Sequence, residues 1–245
     1  MGELIAVLSG KGGTGKTSVC AALAQALCLS GESVLCIDCD VQLRNLDIAL
    51  GLSEDSALSF TDVCSGDYDL DAATRHPVYP TLSFLTAPVS TPAAQVDKDA
   101  FCQMLQKARE KFSYILLDAP AGVEAGFSLA ACYADRILLV TLADPAAIRD
   151  AHRAAQMLEL MGKNQVRLIV NRVQEKRAKQ MKLTIDDIMD QAGLPLIGLV
   201  PEDPDVTLAA NFKQPLLGYT RKGAANACRR IAKRIQGFTV PIRAK

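Results

Sequence analysis

The sequence predicts an α/β fold, a mostly parallel twisted sheet with helices on both faces, and three observations lead there. Short apolar runs recur at 4–8, 33–37, 114–117, 137–141, 166–170 and 196–200. They carry too little polar alternation to have a wet face, so the sheet must be covered on both sides. Helical patterns separate them at βα spacing, from 18–29 to 223–236. No linker, repeat or low-complexity tract interrupts 1–245, which reads as a single three-layer domain.

The first apolar run leads into Gly10-Lys11-Gly12-Gly13-Thr14-Gly15-Lys16-Thr17, which fits G-x-x-x-x-G-K-[ST], the phosphate-binding loop. Strand, glycine loop and helix in that order aim the loop amides and the positive helix end at one point, where a phosphate sits. Lys16 is then placed to neutralise β- and γ-phosphates and the Thr17 hydroxyl to ligate Mg²⁺. Ser18, opening the helix, completes the nucleotide-binding stretch. A chance glycine turn is the alternative, and the flanking strand and helix disfavour it.

Gly31 stops the first helix, and 33–37 forms a second buried strand ending at Asp38-Cys39-Asp40. Acids at a strand's carboxyl end share the edge of the first loop, so Asp38 and Asp40 point to Mg²⁺ coordination or to positioning an attacking water. A solvated turn or helix cap is the competing reading. Residues 41–66 mix short apolar clusters with turn residues, with a break at 53–55 before another short helix. Residues 67–80 read as loop with one helical turn, 81–86 as an alternating strand and 88–92 as loop. The stretch 98–111 is a helix with Phe101, Met104, Leu105 and Ala108 on one face.

Tyr114-Ile115-Leu116-Leu117-Asp118 closes an apolar strand with an acid, which beside a phosphate loop holds Mg²⁺ directly or through water. A strand at 137–141 follows, then a helix opened by Pro145 and running to about 161. The strand at 166–170 ends at Asn171-Arg172. A helix at 184–192 is stopped by Gly193, and the last strand, 196–200, ends at Pro201-Glu202-Asp203. Two helices follow, near 205–211 and 223–236.

The 245 residues are 49% apolar and 22% charged, with 27 basic against 27 acidic side chains. This is soluble globular composition without an overall electrostatic bias toward nucleic acid or anionic membrane. No apolar run approaches the roughly 18–20 residues that cross a bilayer. Met1-Gly2-Glu3 leads straight into the loop region rather than into a signal peptide, and Ala6 stands where myristoylation wants Ser or Thr. The eight cysteines are therefore expected as free thiols in a reducing, cytoplasmic setting. Cys36 and Cys39 are formally C-x-x-C, but positions i and i+3 of a strand face opposite sides of the sheet. Burial as small hydrophobes accounts for them better than chelation. His76 and His152 have no partner motif.

Together the strand-end motifs resemble the MinD/ParA family of deviant Walker A ATPases, P-loop NTPases that include the nitrogenase iron protein and arsenite-pump ATPases. Within that group they are most similar to the MinD branch. The resemblance rests on Lys11 directly after Gly10 and on Asp38-x-Asp40-x-x-Leu43-Arg44-Asn45-Leu46-Asp47 with Leu50-Gly51-Leu52. It rests equally on Asp118-x-Pro120-Ala121-Gly122-x-Glu124-x-Gly126 and Val200-Pro201-Glu202-Asp203, in the family's order along most of the chain.

The resemblance implies ATP and Mg²⁺ as ligands, a homodimer that forms on ATP binding, and slow, partner-stimulated hydrolysis. Lys11 would reach across to the partner's phosphates, supplying a cation in trans much as an arginine finger does. Lys16 would act in cis, Asp40 would orient the water, and Thr17, Asp118 and Asp38 would serve the Mg²⁺ site. Asn171 and Arg172 match the adenine-contacting pair, and Pro201, Glu202 and Asp203 the loop that closes over the base.

Three departures matter. Gln42 stands where the MinD branch usually has glycine, which leaves the switch loop's behaviour open. Arg149-Asp150 fits a partner-binding helix, and equally an exposed pair. The tail 239–245 contains Pro241 and lacks the apolar face that interfacial insertion requires. Any peripheral membrane association is therefore expected through a partner. The helix before it carries Ala224, Ala227, Ile231 and Ile235 on one side and Arg229, Arg230, Lys233 and Arg234 on the other, and reads as a terminal helix packed on the sheet.

The implied function is an ATP-driven positional switch in septum-site placement during cell division, working with a regulatory or activator protein. The alternative is a ParA-like partition or polar-positioning ATPase whose dimer binds DNA nonspecifically. Two basic clusters keep it open: Arg172, Lys176, Arg177, Lys179 and Lys182, and Arg221, Lys222, Arg229, Arg230, Lys233 and Arg234. A third reading is a nucleotide-sensing scaffold with little turnover.

Overall fold

Side chains alternate across a strand, so a wholly apolar strand feeds two cores at once. In the computed structural model, which describes residues 1–41, 43–52, 57–88, 95–123, 125–174, 180 and 183–243, the sheet works in this way. Strand β1 (Glu3–Leu8) sends Leu4, Ala6 and Leu8 into one hydrophobic layer and Ile5 and Val7 into the other. Strand β2 (Val34–Asp38) divides likewise, with Leu35 and Ile37 on one side and Val34 and Cys36 on the other. Cys39 falls in the layer opposite Cys36, and both are free and buried, as the strand geometry requires.

Eight strands form one sheet in the order β3-β4-β2-β5-β1-β6-β7-β8. The others are β3 (Thr74–Arg75), β4 (Leu82–Leu85), β5 (Tyr114–Asp118), β6 (Arg136–Leu142), β7 (Val166–Val173) and β8 (Leu196–Pro201). All neighbours are parallel except β3, which pairs antiparallel to β4 at one edge. Helices α1 (Lys16–Leu29), α2 (Leu46–Leu50), α8 (Asp205–Asn211), α9 (Leu216–Tyr219) and α10 (Gly223–Ile235) pack on one face. Helices α3 (Phe60–Cys64), α4 (Lys98–Lys111), α5 (Ala125–Tyr133), α6 (Pro145–Leu160) and α7 (Ile185–Ala192) pack on the other.

Every residue of α1 from Val19 to Leu27 is buried. Its small side chains let it lie between the sheet and α10, whose predicted apolar stripe, Ala224, Ala227, Ile231 and Ile235, is buried. Gly198 of β8 leaves room for Ile231, since a Cβ there would overlap that side chain. Of the side expected to be basic and solvated, Lys233 is exposed, whereas Arg229, Arg230 and Arg234 are partly buried.

The structure departs from the sequence reading in five elements. Helix α5, with the sequence AGFSLAACY, was not anticipated because it is apolar all round and shows no helical period. Helices α2 and α9 are too short to show one. Strand β3 has two residues, and β4 is buried on both faces rather than alternating. The helical turn expected within 67–80 is a 3-10 turn at Leu70–Ala72, and the short helix expected before residue 66 is α3. The break at 53–55 and the loop at 89–92 lie outside the described residues.

Candidate functional site

Parallel register brings three strand ends to one place. Val7 of β1 and Asp38 of β2 both align with Asp118 of β5. The loop from Gly10 leaves β1 at this edge, with Gly13 and Gly15 in the left-handed region at φ 78° and 81°. Gly10 lies so close to α6 that a Cβ would strike the carbonyl oxygen of Asp150. Gly15 is the N-cap of α1, and neither a capping side chain nor a first-turn acid covers that helix end. By contrast α4, α6 and α7 are capped by Asp97, Asp144 and Thr184. The first amides of α1 are thus left for an external anion.

Lys16 folds back over this edge, its Nζ 2.6 Å from Asp118 Oδ1 and 3.4 Å from Thr17 Oγ1. Burial pushes the Asp118 carboxyl up, while the Lys16 charge and a Thr17 hydroxyl bond oppose that rise. Asp38 is fully buried, and accepts the Asp40 N–H at 2.9 Å and the Leu46 N–H at 3.2 Å. Burial, then the Asp118 charge, raises its pKa to about 7. Two buried acids thus lie side by side with Lys16 paired to Asp118, an excess of negative charge that suits a divalent cation.

The donor set fits Mg²⁺ in particular. Among the described residues no group of three or more His, Cys, Asp or Glu is placed to cage a metal. A hydroxyl and one or two carboxylates, completed by phosphate and water, is how Mg²⁺ is commonly held. Ser9 Oγ and Thr14 Oγ1 are buried beside the loop without a hydrogen-bond partner among the described residues, as suits a cradle built for an anion.

Asp40 sits at the lip of the site, its Oδ1 accepting the Leu43 N–H at 3.2 Å. Lys11, Gly12 and Gly13 are exposed on the outer face of the loop. The stretch after Asp118 is tied to the loop by the Gly122 N–H, which donates to Ser9 O at 3.0 Å. Gly126 is small because Pro120 occupies the space of a Cβ. Gln42 and Glu124 lie outside the described residues.

A cavity of about 220 Å³ opens beside the loop, between α1 and α10. Its rim holds Asn171, Arg172, Pro201, Glu202 and Asp203, together with Gly15 and Ser18. The β7–β8 register shifts between Val170 and Val173, and Arg172 has φ 54°. Such an irregularity re-aims side chains. Asn171 turns inward, donating from Nδ2 to Thr14 O at 2.7 Å, and Arg172 turns outward to pair with Glu202 at 2.7 Å. Asp203 spends both carboxylate oxygens on backbone, accepting the Asp205 N–H at 3.0 Å and the Ala224 N–H at 2.8 Å. It fixes the helix starts that flank the cavity rather than offering a free group to a ligand.

The structure thus brings Lys16, Thr17, Asp38 and Asp118 together at the strand ends and Gly15, Ser18, Asn171, Arg172, Pro201, Glu202 and Asp203 around the adjoining cavity, while Lys11, Gly12 and Gly13 stand exposed. Sequence reasoning missed the apolar wall: Val19, Ala22, Val206, Leu216, Ala224 and Cys228. These come from four helices with no shared motif, so no local signal could have named them.

Half of the second basic cluster is engaged by the chain itself, while Arg221, Lys222 and Lys233 are exposed. Arg229 donates to Leu217 O at 3.3 Å and Arg230 to Arg243 O at 2.9 Å. Arg234 donates to Ile197 O at 2.8 Å, to Val240 O at 2.9 Å and to Pro241 O at 2.6 Å. Of the first cluster, Lys176, Arg177, Lys179 and Lys182 lie outside the described residues. Asp150 approaches Arg153 at 3.8 Å on α6, and its backbone abuts Gly10. No described helix is long and apolar enough to cross a membrane.

Comparison with known proteins places this geometry. The profile of the CobQ/CobB/MinD/ParA nucleotide binding domain matches residues 5–216. The septum site-determining protein MinD of Synechocystis sp. is 34% identical over 244 residues, covering 98% of this chain and 92% of that protein. The MinC:MinD cell division protein complex of Aquifex aeolicus contains a chain that superposes with a TM-score of 0.90 at 33% identity, covering 98% of both chains. The septum site-determining protein MinD of Pyrococcus horikoshii, solved with Mg-ADP, superposes with a TM-score of 0.83 at 27% identity over 96% of each.

Proposed function

The chain belongs to the CobQ/CobB/MinD/ParA nucleotide-binding family, and from that premise we propose that it is a MinD-like ATPase acting in septum-site placement. ATP and Mg²⁺ are its ligands, and residues 1–245 work as one unit. The observation that carries the reading is the division between two loop lysines. Lys16 is buried against Asp118, whereas Lys11 stands exposed on the loop's outer face. One lysine is positioned for its own site and the other for a site on a second molecule.

In this reading Gly10–Ser18 bind the phosphates through backbone amides, with Lys16 Nζ donating to the β- and γ-oxygens. Mg²⁺, when bound by Thr17 with Asp118 and Asp38 alongside, supplies Lewis-acid neutralisation of phosphate charge. Asp40 at the lip orients the attacking water. Lys11 of a second copy adds positive charge as the transition state develops. Asn171 and Arg172 contact the adenine, and the Pro201–Asp203 turn closes over it. Turnover is slow until a partner completes the site.

The partner is a MinC-type regulator or an activator of the division machinery, and the protein is cytoplasmic, reaching a membrane through that partner. Against the DNA-binding alternative, Arg229, Arg230 and Arg234 are committed to backbone carbonyls.

The decisive experiment compares ATP with ADP in size-exclusion chromatography and in co-sedimentation with a MinC-type protein, anionic liposomes and duplex DNA. The expected result is a dimer and partner capture with ATP alone. ATP-dependent retention on DNA that is lost at moderate salt, with no partner capture, sinks the MinD-like reading.

A further inference from the structure

One buried polar side chain takes no part in the chemistry above. Gln25 of α1 is fully enclosed. Helical spacing places it one turn beyond Ala22, on the stripe through Ser18 and Ala22 that walls the cavity. Its Oε1 accepts the Leu217 N–H at 3.0 Å. That N–H belongs to the first turn of α9, where no helical carbonyl can receive it. From the other side Arg229 of α10 donates to Leu217 O at 3.3 Å. The Leu217 backbone is thus held at both its polar groups by side chains from two different helices.

The preceding residue, Leu216, lines the cavity with Val206 and Thr207. It also borders a second groove, bounded by Ile48 and Ala49 of α2 and by Ala209 and Ala210 of α8. Leu216, itself buried, therefore borders both spaces, and a four-residue helix carries it. So short a helix cannot bond its first amides internally. The bond to Gln25 supplies the constraint.

We propose that Gln25 is a positioning residue for the nucleotide base. By holding the Leu217 N–H it sets Leu216 against the base cavity, and so contributes to affinity through the base and not through the phosphates. The inference rests on the cavity being the base site. Nine residues of helix, roughly 13 Å along the axis, separate Gln25 from Lys16, so the phosphate loop is outside its reach.

The test measures Mg-ADP and Mg-tripolyphosphate affinity by calorimetry for wild type, Gln25→Met and Gln25→Glu. Tripolyphosphate engages the loop but has no base. Loss of the acceptor strands a buried N–H, so Gln25→Met should weaken ADP binding about tenfold and leave tripolyphosphate unchanged. Gln25→Glu keeps an acceptor at the same place and should recover most of the ADP affinity. Equal weakening of both ligands, or no weakening of ADP, overturns the proposal. If Gln25→Met does not fold, Leu216→Ala takes its place, and the same selective loss of ADP is required of it. A wild type that binds ADP no more tightly than tripolyphosphate overturns the base-site reading itself, a result separable from the others.

Discussion

The Lys16 ammonium and the Asp118 carboxylate meet at 2.6 Å, both nearly excluded from solvent. Asp38 lies alongside Asp118 in strand register, and the Asp118 charge adds to the burial that raises its pKa. Removing one partner of a buried pair leaves an uncompensated charge, at a cost of about 3–5 kcal/mol before protonation relieves it. Lys16→Met should therefore lower stability by about 2 kcal/mol in urea unfolding without nucleotide. It should also abolish the rise in midpoint expected of wild type with Mg-ATP. An unchanged midpoint in the absence of nucleotide would mean that the pair holds nothing together.

Lys11 invites the opposite outcome. Its side chain is exposed, so Lys11→Ala should leave stability and ATP affinity within about twofold of wild type, while turnover falls by roughly a thousandfold, as loss of a trans cation does elsewhere. Parallel measurement of ATP binding and phosphate release decides this, and unaltered turnover refutes a role in trans.

Gly10→Ala probes the contact between the loop and α6. A Cβ would strike the Asp150 carbonyl, which is backbone and cannot rotate away. The loop or the helix must move, at about 1–3 kcal/mol by analogy with overpacked cores. Thermal unfolding should show the loss, and ATP affinity should fall with it. Gly13→Ala meets nothing nearby and suffers only the cost of its φ of 78°, so it should be the milder of the two.

His76 gives the fold a pH dependence below neutrality. Its Nε2 donates to Leu50 O at 2.8 Å, while Nδ1 accepts from the Val78 and Tyr79 N–H groups at 3.0 and 3.2 Å. This fixes the neutral tautomer, and burial holds the pKa below 6.5. A depressed histidine pKa means that the unfolded chain binds the proton first. The stability is intact above pH 6.5 and is lost as pH falls through the folded value. Urea titrations at pH 7.5 and 5.5 should show that decline, and His76→Gln, though less stable by about 1–2 kcal/mol at pH 7.5, should show less of it.

The parts of this molecule written in the sequence are those governed by a local rule. The loop from Gly10 to Thr17 was legible because its glycines and lysine occur at fixed spacing, and Asp38 and Asp118 because each ends an apolar strand. Helix α4 was legible to the residue, since its apolar face repeats with the helical period. Helix α5 was not, because a buried helix has no polar face to mark its period. The inward turn of Asn171 and the outward turn of Arg172 depend on a shift in β7–β8 pairing, which no neighbouring residue encodes. Asp203 was read as part of a base-closing turn, and its double grip on α8 and α10 arises only once residues 205 and 224 are brought together.

Helix α1 joins two very different environments within 14 residues. Its Lys16 end offers uncapped amides, and from Val19 to Leu27 nothing reaches solvent. Deuterium should enter the first turn through small local openings, and the middle only when the whole molecule opens. One exchange profile along this helix would then report ligand occupancy at one end and global stability at the other, so the chain carries its own internal control.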